Sequence, residues 1–223
     1  MIRGVLLDFY GTVVDEDDEV IDTITRRIAA DQPEHDPAET AAMWGRAFAA
    51  STAATLEGGF RPQRELAIDS LAQVLAGIGS DLEAASLCRP QLAHWRTAAL
   101  RPGSLEFLEA CPVPICVVSN IDTNDLDAVL AFHKLDLPAR ITSEDVRSYK
   151  PRPEMFLAAL DQLGLDAADV LHVGDSLTSD VAGANALGIP IAWVNRRARP
   201  RPPHGRIDYE ITDLRDLLPA LGL

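Results

Sequence analysis

The chain has 223 residues, 47% of them apolar, enough to bury one sizeable core or one core with a smaller inserted domain. A formal charge of −14, with twenty Lys and Arg against thirty-four acids, excludes a general binder of nucleic acid or anionic membrane, since both need a positive surface. There is no basic-then-apolar leader or membrane-length apolar run, and Cys88, Cys111 and Cys116 lack metal-like spacing, so the expectation is a cytoplasmic protein with reduced thiols.

In chain order, the first predicted element is a buried strand, Val5, Leu6 and Leu7, which delivers Asp8 ahead of a Gly11-Thr12 turn. A carboxylate ejected at the carboxyl end of a strand is placed for nucleophilic attack or metal binding at the rim of an α/β sheet. Asp15, Glu16, Asp17 and Asp18 read as linker or helix-start charges. Residues from about 18 to 98 read as helices, with Ala-rich amphipathic stretches near 20–30, 38–55, 63–78 and 82–97. From Arg101 the pattern alternates: strand 115–118, helix 125–132, a short strand at Ile141, helix 154–163, strand 170–173, helix 181–187, strand 189–194 and a last strand at 209–211. Such alternation predicts a doubly wound parallel sheet, a Rossmann-like α/β core. The first strand joins a sheet whose other strands come about a hundred residues later. The expected division is therefore a core of 1–15 and 99–223, with 16–98 inserted as a helical cap over the carboxyl ends of the strands. Cys116 and His172 read as core residues. The segment 196–206, with five arginines and three prolines, reads as a solvated surface loop.

Four strand ends then present polar groups at one edge. The first gives Asp8. Ser119 and Asn120 put a hydroxyl and an amide at a helix start, a place to hold an anion. Lys150, one of only two lysines, follows Ser148 and Tyr149 and precedes Pro151, and can neutralise a bound oxyanion. Asp175 and Asp180 flank a turn and can hold a hard cation through oxygen. Singly, Ser-Asn reads as a helix cap and Lys-Pro as a helix entrance.

In this order and context, the motifs DFYGTVVD (8–15), VVSN (117–120), SYKP (148–151) and HVGDSLTSD (172–180) resemble those of the haloacid dehalogenase superfamily, and the helical insertion resembles its cap. The resemblance implies Asp8 as nucleophile, with Asp8, the Tyr10 carbonyl, Asp175 and Asp180 holding Mg²⁺. It implies substrate contacts from Thr12, Ser119, Asn120 and Lys150, with Arg61 and Arg64 from the cap. Tyr10 departs from the superfamily's phosphatases, which carry an acid there. A phenol near pKa 10 is a poor general acid, and losing that help costs about 10² to 10⁴ in rate. The L-2-haloacid dehalogenases carry tyrosine at that position and use no metal, but they place a small uncharged group where this chain has Asp175. A third branch, phosphonoacetaldehyde hydrolase, needs a cap lysine, and this cap has none.

The expectation is a Mg²⁺-dependent phosphatase acting on a small phosphorylated metabolite through an aspartyl phosphate on Asp8. The alternatives are a metal-free 2-haloacid dehalogenase working through an aspartyl ester, and a non-catalytic phosphoryl-binding protein. Asp122 reads as a helix cap or a substitute proton donor. Trp44, Phe48, Phe60, Trp95 and Arg96 are candidate pocket lining. The expected partner is a small molecule, with no nucleic acid or membrane, and the chain a monomer or homodimer.

Overall fold

The computed structural model describes residues 1–223, the side chains of 56–58 excepted. Six short apolar runs form strands: β1 (Gly4–Leu7), β2 (Ile115–Ser119), β3 (Arg140–Thr142), β4 (Val170–Gly174), β5 (Ile191–Val194) and β6 (Tyr209–Ile211). Each pairs in parallel with its neighbours in the order β3-β2-β1-β4-β5-β6. Strands β1, β4 and β5 are buried at every residue, as strands covered on both faces must be. In the middle of the sheet Leu6 of β1 is in register with Cys116 on one side and His172 on the other. The winding reverses here, and the carboxyl ends of such strands bound a ligand crevice.

The helices are α1 (Asp18–Asp31), α2 (Pro37–Gly58), α3 (Gln63–Gly77), α4 (Ala84–His94), α5 (Ser104–Ala110), α6 (Thr123–His133), α7 (Ser143–Val146), α8 (Pro153–Leu163), α9 (Ala182–Ala186) and α10 (Leu218–Leu221). Local chemistry sets several of their ends. Asp36 caps α2 by accepting from the N–H groups of Ala38 and Glu39, and Thr142 with Asp145 forms a reciprocal capping box on α7. Pro153 opens α8, and Gly164 closes it in the left-handed conformation.

The chain divides into two compact units. The sheet unit comprises 1–16, 99–120 and 133–223, and one face packs Leu6, Val118, Phe156, Ile191 and Trp193. The helical unit comprises 17–98 and 121–132, with Ile28, Trp44, Leu71, Leu75 and Cys88 in its core. Thus α6 groups with the helical insertion rather than with the strands that flank it in sequence. The tie is Asp122: α3 starts at Pro62 without a cap of its own, and Asp122 accepts from the Gln63 and Arg64 N–H groups at 2.6 and 3.0 Å.

The helix expected at 181–187 begins differently. A π turn, Leu177–Val181, precedes α9, because the Ser176 carbonyl accepts from both Asp180 and Val181 N–H. The wider turn brings Asp180 against Gly174, where an added Cβ would lie 2.3 Å from the Asp180 Cγ. Among the described residues, no helix is long and apolar enough to cross a membrane.

Candidate active site

At the end of β1 the Asp8 N–H donates to the Val173 carbonyl at 2.8 Å, which fixes the buried Asp8 carboxyl at the sheet rim. The following turn depends on Gly11. Its φ is +84°, and a Cβ there would stand 2.8 Å from Asp175 Oδ1, so glycine lets Asp175 approach. Tyr10 sets its ring edge-on to Phe9.

Lys150 is the only ammonium in this cluster, and it donates from Nζ to Asp8 Oδ1, Asp180 Oδ1 and the Val118 carbonyl, each at 2.7 Å. Those three bonds use every hydrogen it has. Asp180 Oδ1 also meets His172 Nε2 at 2.9 Å, and its Oδ2 accepts from the Ser176 N–H at 3.0 Å. His172 is buried as expected of a core residue, yet it also touches a site carboxylate, which its place in an apolar strand did not signal.

Asp8, Asp175 and Asp180 each bring one oxygen within 4.8 Å of the others. Three acids, against Lys150 bonded to Asp8 and Asp180 and the Arg199 guanidinium 3.7 Å from Asp175, leave a surplus of negative charge. Burial, chiefly, pushes Asp8 up to about 6, with Lys150 opposing and Asp180 adding. Asp175 goes up to about 8, through burial and then repulsion from Asp8, Asp180 and Glu16. Burial also works against ionising Asp180, but Lys150 and His172 overcome it and hold that carboxyl below its usual range. Asp8 Oδ2 is buried without a hydrogen-bond partner. An oxygen-only set with an orphaned carboxylate oxygen fits a hard divalent cation. Burial pushes the Cys88 and Cys116 thiols up to about 12, which removes both as nucleophiles at neutral pH.

The remaining expected residues divide. Ser119, at the end of β2, and Thr12 are buried in the sheet unit, and Thr12 Oγ1 has no hydrogen-bond partner. Asn120, expected to bind substrate, meets the Lys150 backbone through its amide: Oδ1 accepts from the Lys150 N–H at 2.8 Å and Nδ2 donates to its carbonyl at 3.3 Å. Arg61 and Arg64 belong to the helical unit and face carboxylates there, Arg61 with Glu65 and Asp69, Arg64 with Asp125. Asp122, with both oxygens on the start of α3, is a cap rather than a proton donor. Trp44, Phe48 and Trp95, with Ile21 and Gln91, line a cavity of about 220 Å³ inside the helical unit.

The arginine-rich segment is the expected surface loop, mostly exposed, but two of its arginines turn back onto the site. Arg196 is half-buried and donates to the carbonyls of Gly11 and Thr12 at 3.0 and 3.2 Å, while Arg199 donates to the Asp175 carbonyl at 2.5 Å. The only sequence signal was the density of arginines just after a strand.

A doubly wound sheet with this rim of carboxylates and lysine defines an α/β enzyme of the Rossmann-like class. The family model for haloacid dehalogenase-like hydrolases matches residues 2–188, and the chain belongs to that family. It is 26% identical to an (S)-2-haloacid dehalogenase of Pseudomonas sp. (strain YL) over 96% of this chain and 92% of that one. It is 35% identical to a phosphoserine phosphatase of Thermus thermophilus, over 37% of this chain and 33% of that one. A crystal structure of a defluorinating L-2-haloacid dehalogenase, 28% identical, superposes with a TM-score of 0.79 and covers 100% of this chain and 96% of its own.

Proposed function

We propose that the protein is a Mg²⁺-dependent phosphatase that acts on a small phosphorylated metabolite through an aspartyl phosphate on Asp8. The observation that carries this reading is the surplus of buried carboxylate: Asp175, pushed up to about 8, brings an oxygen within 4.8 Å of Asp8 and Asp180, while Lys150 spends its three hydrogens on Asp8, Asp180 and the Val118 carbonyl. A metal-free dehalogenase has no use for that third acid, whereas a divalent cation relieves the repulsion. Asp8, Asp175, Asp180 and the Tyr10 carbonyl would hold the ion. When bound, it neutralises charge on the nucleophile and on the transferred phosphoryl oxygens.

The chain's own residues supply the rest. A carboxylate oxygen of Asp8 attacks phosphorus in line, and the bond to the leaving oxygen breaks as the new bond forms. Lys150 offsets charge on Asp8, and Asn120 fixes the Lys150 backbone. Ser119 and Thr12 donate to the phosphoryl oxygens; Thr12 Oγ1 is a buried hydroxyl that lacks a partner. Water then attacks phosphorus, the bond to Asp8 breaks, and phosphate leaves with the Asp8 carboxylate restored. With Tyr10 in place of an acid, the reaction favours leaving groups stable as anions, such as those of acyl or anomeric phosphates.

A second reading is favoured by Tyr10 and by the relative matched almost end to end. In 2-haloacid dehalogenation Asp8 would attack C2, halide would leave with the bonding pair, and water would cleave the ester. Phosphate release from sugar, acyl and nucleotide phosphates, with Mg²⁺ or with EDTA, tests the two readings. Turnover that needs Mg²⁺ and is lost in Asp8→Asn supports the phosphatase. Halide release from 2-haloacids in EDTA, without phosphate release, replaces it with the dehalogenase.

A further inference from the structure

The segment after β5 reaches both turns of the candidate site from one short stretch. Asn195 is buried and pins that stretch: its Oδ1 accepts from the Arg199 N–H at 2.9 Å, and its Nδ2 donates to the Arg199 carbonyl at 2.9 Å and to Glu210 at 2.6 Å. Between the two arginines Ala198 sits at φ +48°, a left-handed conformation that alanine adopts only where its surroundings over-determine it. This tight reversal sends Arg196 and Arg199 to different destinations.

Arg196 places its two Nη atoms on successive carbonyls, Gly11 and Thr12, in the turn that follows Asp8. Arg199 lies over the Trp193 ring at 5.5 Å and donates to the Asp175 carbonyl, which also accepts from Trp193 Nε1 at 2.9 Å. Its guanidinium stands 3.7 Å from Asp175 Oδ2. The planar fork and the aromatic stacking are properties of arginine that lysine does not share.

We propose that Arg196 and Arg199 form a two-armed clamp that holds the turn after Asp8 and the turn bearing Asp175 at the spacing a divalent cation requires. They are positioning residues, and the inference rests on the metal-dependent reading of the site. The β1–β4 pairing brings the two strand ends together, but the carboxylates repel one another, so the Asp175 turn needs a further hold to stay close to Asp8 before the cation enters. Gly11 makes the approach sterically possible, and the clamp makes it persist. Groups that orient ligands from behind in this way typically change metal affinity by about 10- to 100-fold.

The test uses Arg196→Lys, Arg199→Lys and the double variant of the full chain, which keep the charge while removing the fork. Titration calorimetry gives the Mg²⁺ Kd, and thermal melting in EDTA gives stability independently of the ion. Each single change should weaken Mg²⁺ about tenfold. The double variant should be weakened by about the same factor, because releasing either arm frees the spacing. Multiplication of the two losses would mean two independent contacts and would overturn the clamp. Lowered melting in EDTA with an unchanged Kd would reduce both arginines to structural residues, again overturning it. Should the double variant not fold, the singles decide, since unchanged Kd values in both refute the proposal. If the intact chain shows no Mg²⁺ binding, the metal-dependent reading fails and the clamp falls with it. Mg²⁺ binding that the Lys variants leave unaltered sinks the clamp alone.

Discussion

Among the described residues of the helical unit two carboxylates are buried, and both are matched. Asp122 takes two backbone N–H groups at the start of α3, and Asp125 meets the Arg64 guanidinium through both oxygens, with Arg96 at 4.0 Å. In the sheet unit Asp8 and Asp180 share one ammonium whose hydrogens are all in use, Asp175 has only the Arg199 guanidinium at 3.7 Å as a counter-charge, and Asp8 Oδ2 is left over. Buried acid alone therefore does not mark a reactive site. The mark is an excess of acceptors over donors, because an unmatched buried carboxylate costs stability unless something else binds it.

The sharpest break of that comparison comes from Asp8→Asn, which should lower turnover by roughly 10⁴-fold or more while the fold survives, as measured by steady-state kinetics beside circular dichroism. Removing the single donor comes next. Lys150→Met leaves two buried acids without their counter-charge and should destabilise the chain by about 3–5 kcal/mol in urea unfolding.

Removing an acid should act with opposite sign in the two units. Asp175→Asn deletes a repelled carboxylate and should raise metal-free stability by roughly 1–3 kcal/mol at pH 8 while abolishing any Mg²⁺-induced rise in melting temperature. Asp122→Ala deletes a matched one and should cost about 1 kcal/mol, with Mg²⁺ affinity unchanged. A stabilising Asp122→Ala or a destabilising Asp175→Asn would erase the distinction.

The same surplus should also give a pH slope. The folded pKa values of Asp8 and Asp175 are raised from 3.8 to about 6 and about 8, so the folded chain binds more protons than the unfolded one in between. Their contribution to stability is therefore complete below about pH 4 and is lost as pH rises through about 6 and then about 8. Melting in EDTA should fall between pH 5 and pH 8, and Mg²⁺ should raise it most at the upper end. A melting temperature that climbs across that interval would contradict the assigned surplus of charge.

Local patterns carried much of the fold. The apolar runs ending at Leu7, Val118 and Val173 read as buried strands, and Asp8 and Ser119, the residues after the first two, were therefore legible as rim positions. Lys150, Asp175 and Asp180 were legible only through the motifs that contain them. The helices between residues 18 and 98 were equally legible, since amphipathic stretches act within a few residues.

What the sequence by itself determined was thus the parallel α/β architecture, the run of helices that follows the first strand, and the strand ends that bear chemical groups, all encoded over short distances. Only the tertiary structure decided which charges neutralise one another. Asp122 caps a helix 59 residues away, Arg64 meets Asp125 across 61, and Arg196 reaches Gly11 across 185. A charged side chain in a sequence carries no label for its partner, because Coulomb attraction and hydrogen bonding depend on distance in space, which the fold alone sets. The same reason hid the partner of Asn120: its amide meets a backbone 30 residues on, which no local pattern could announce.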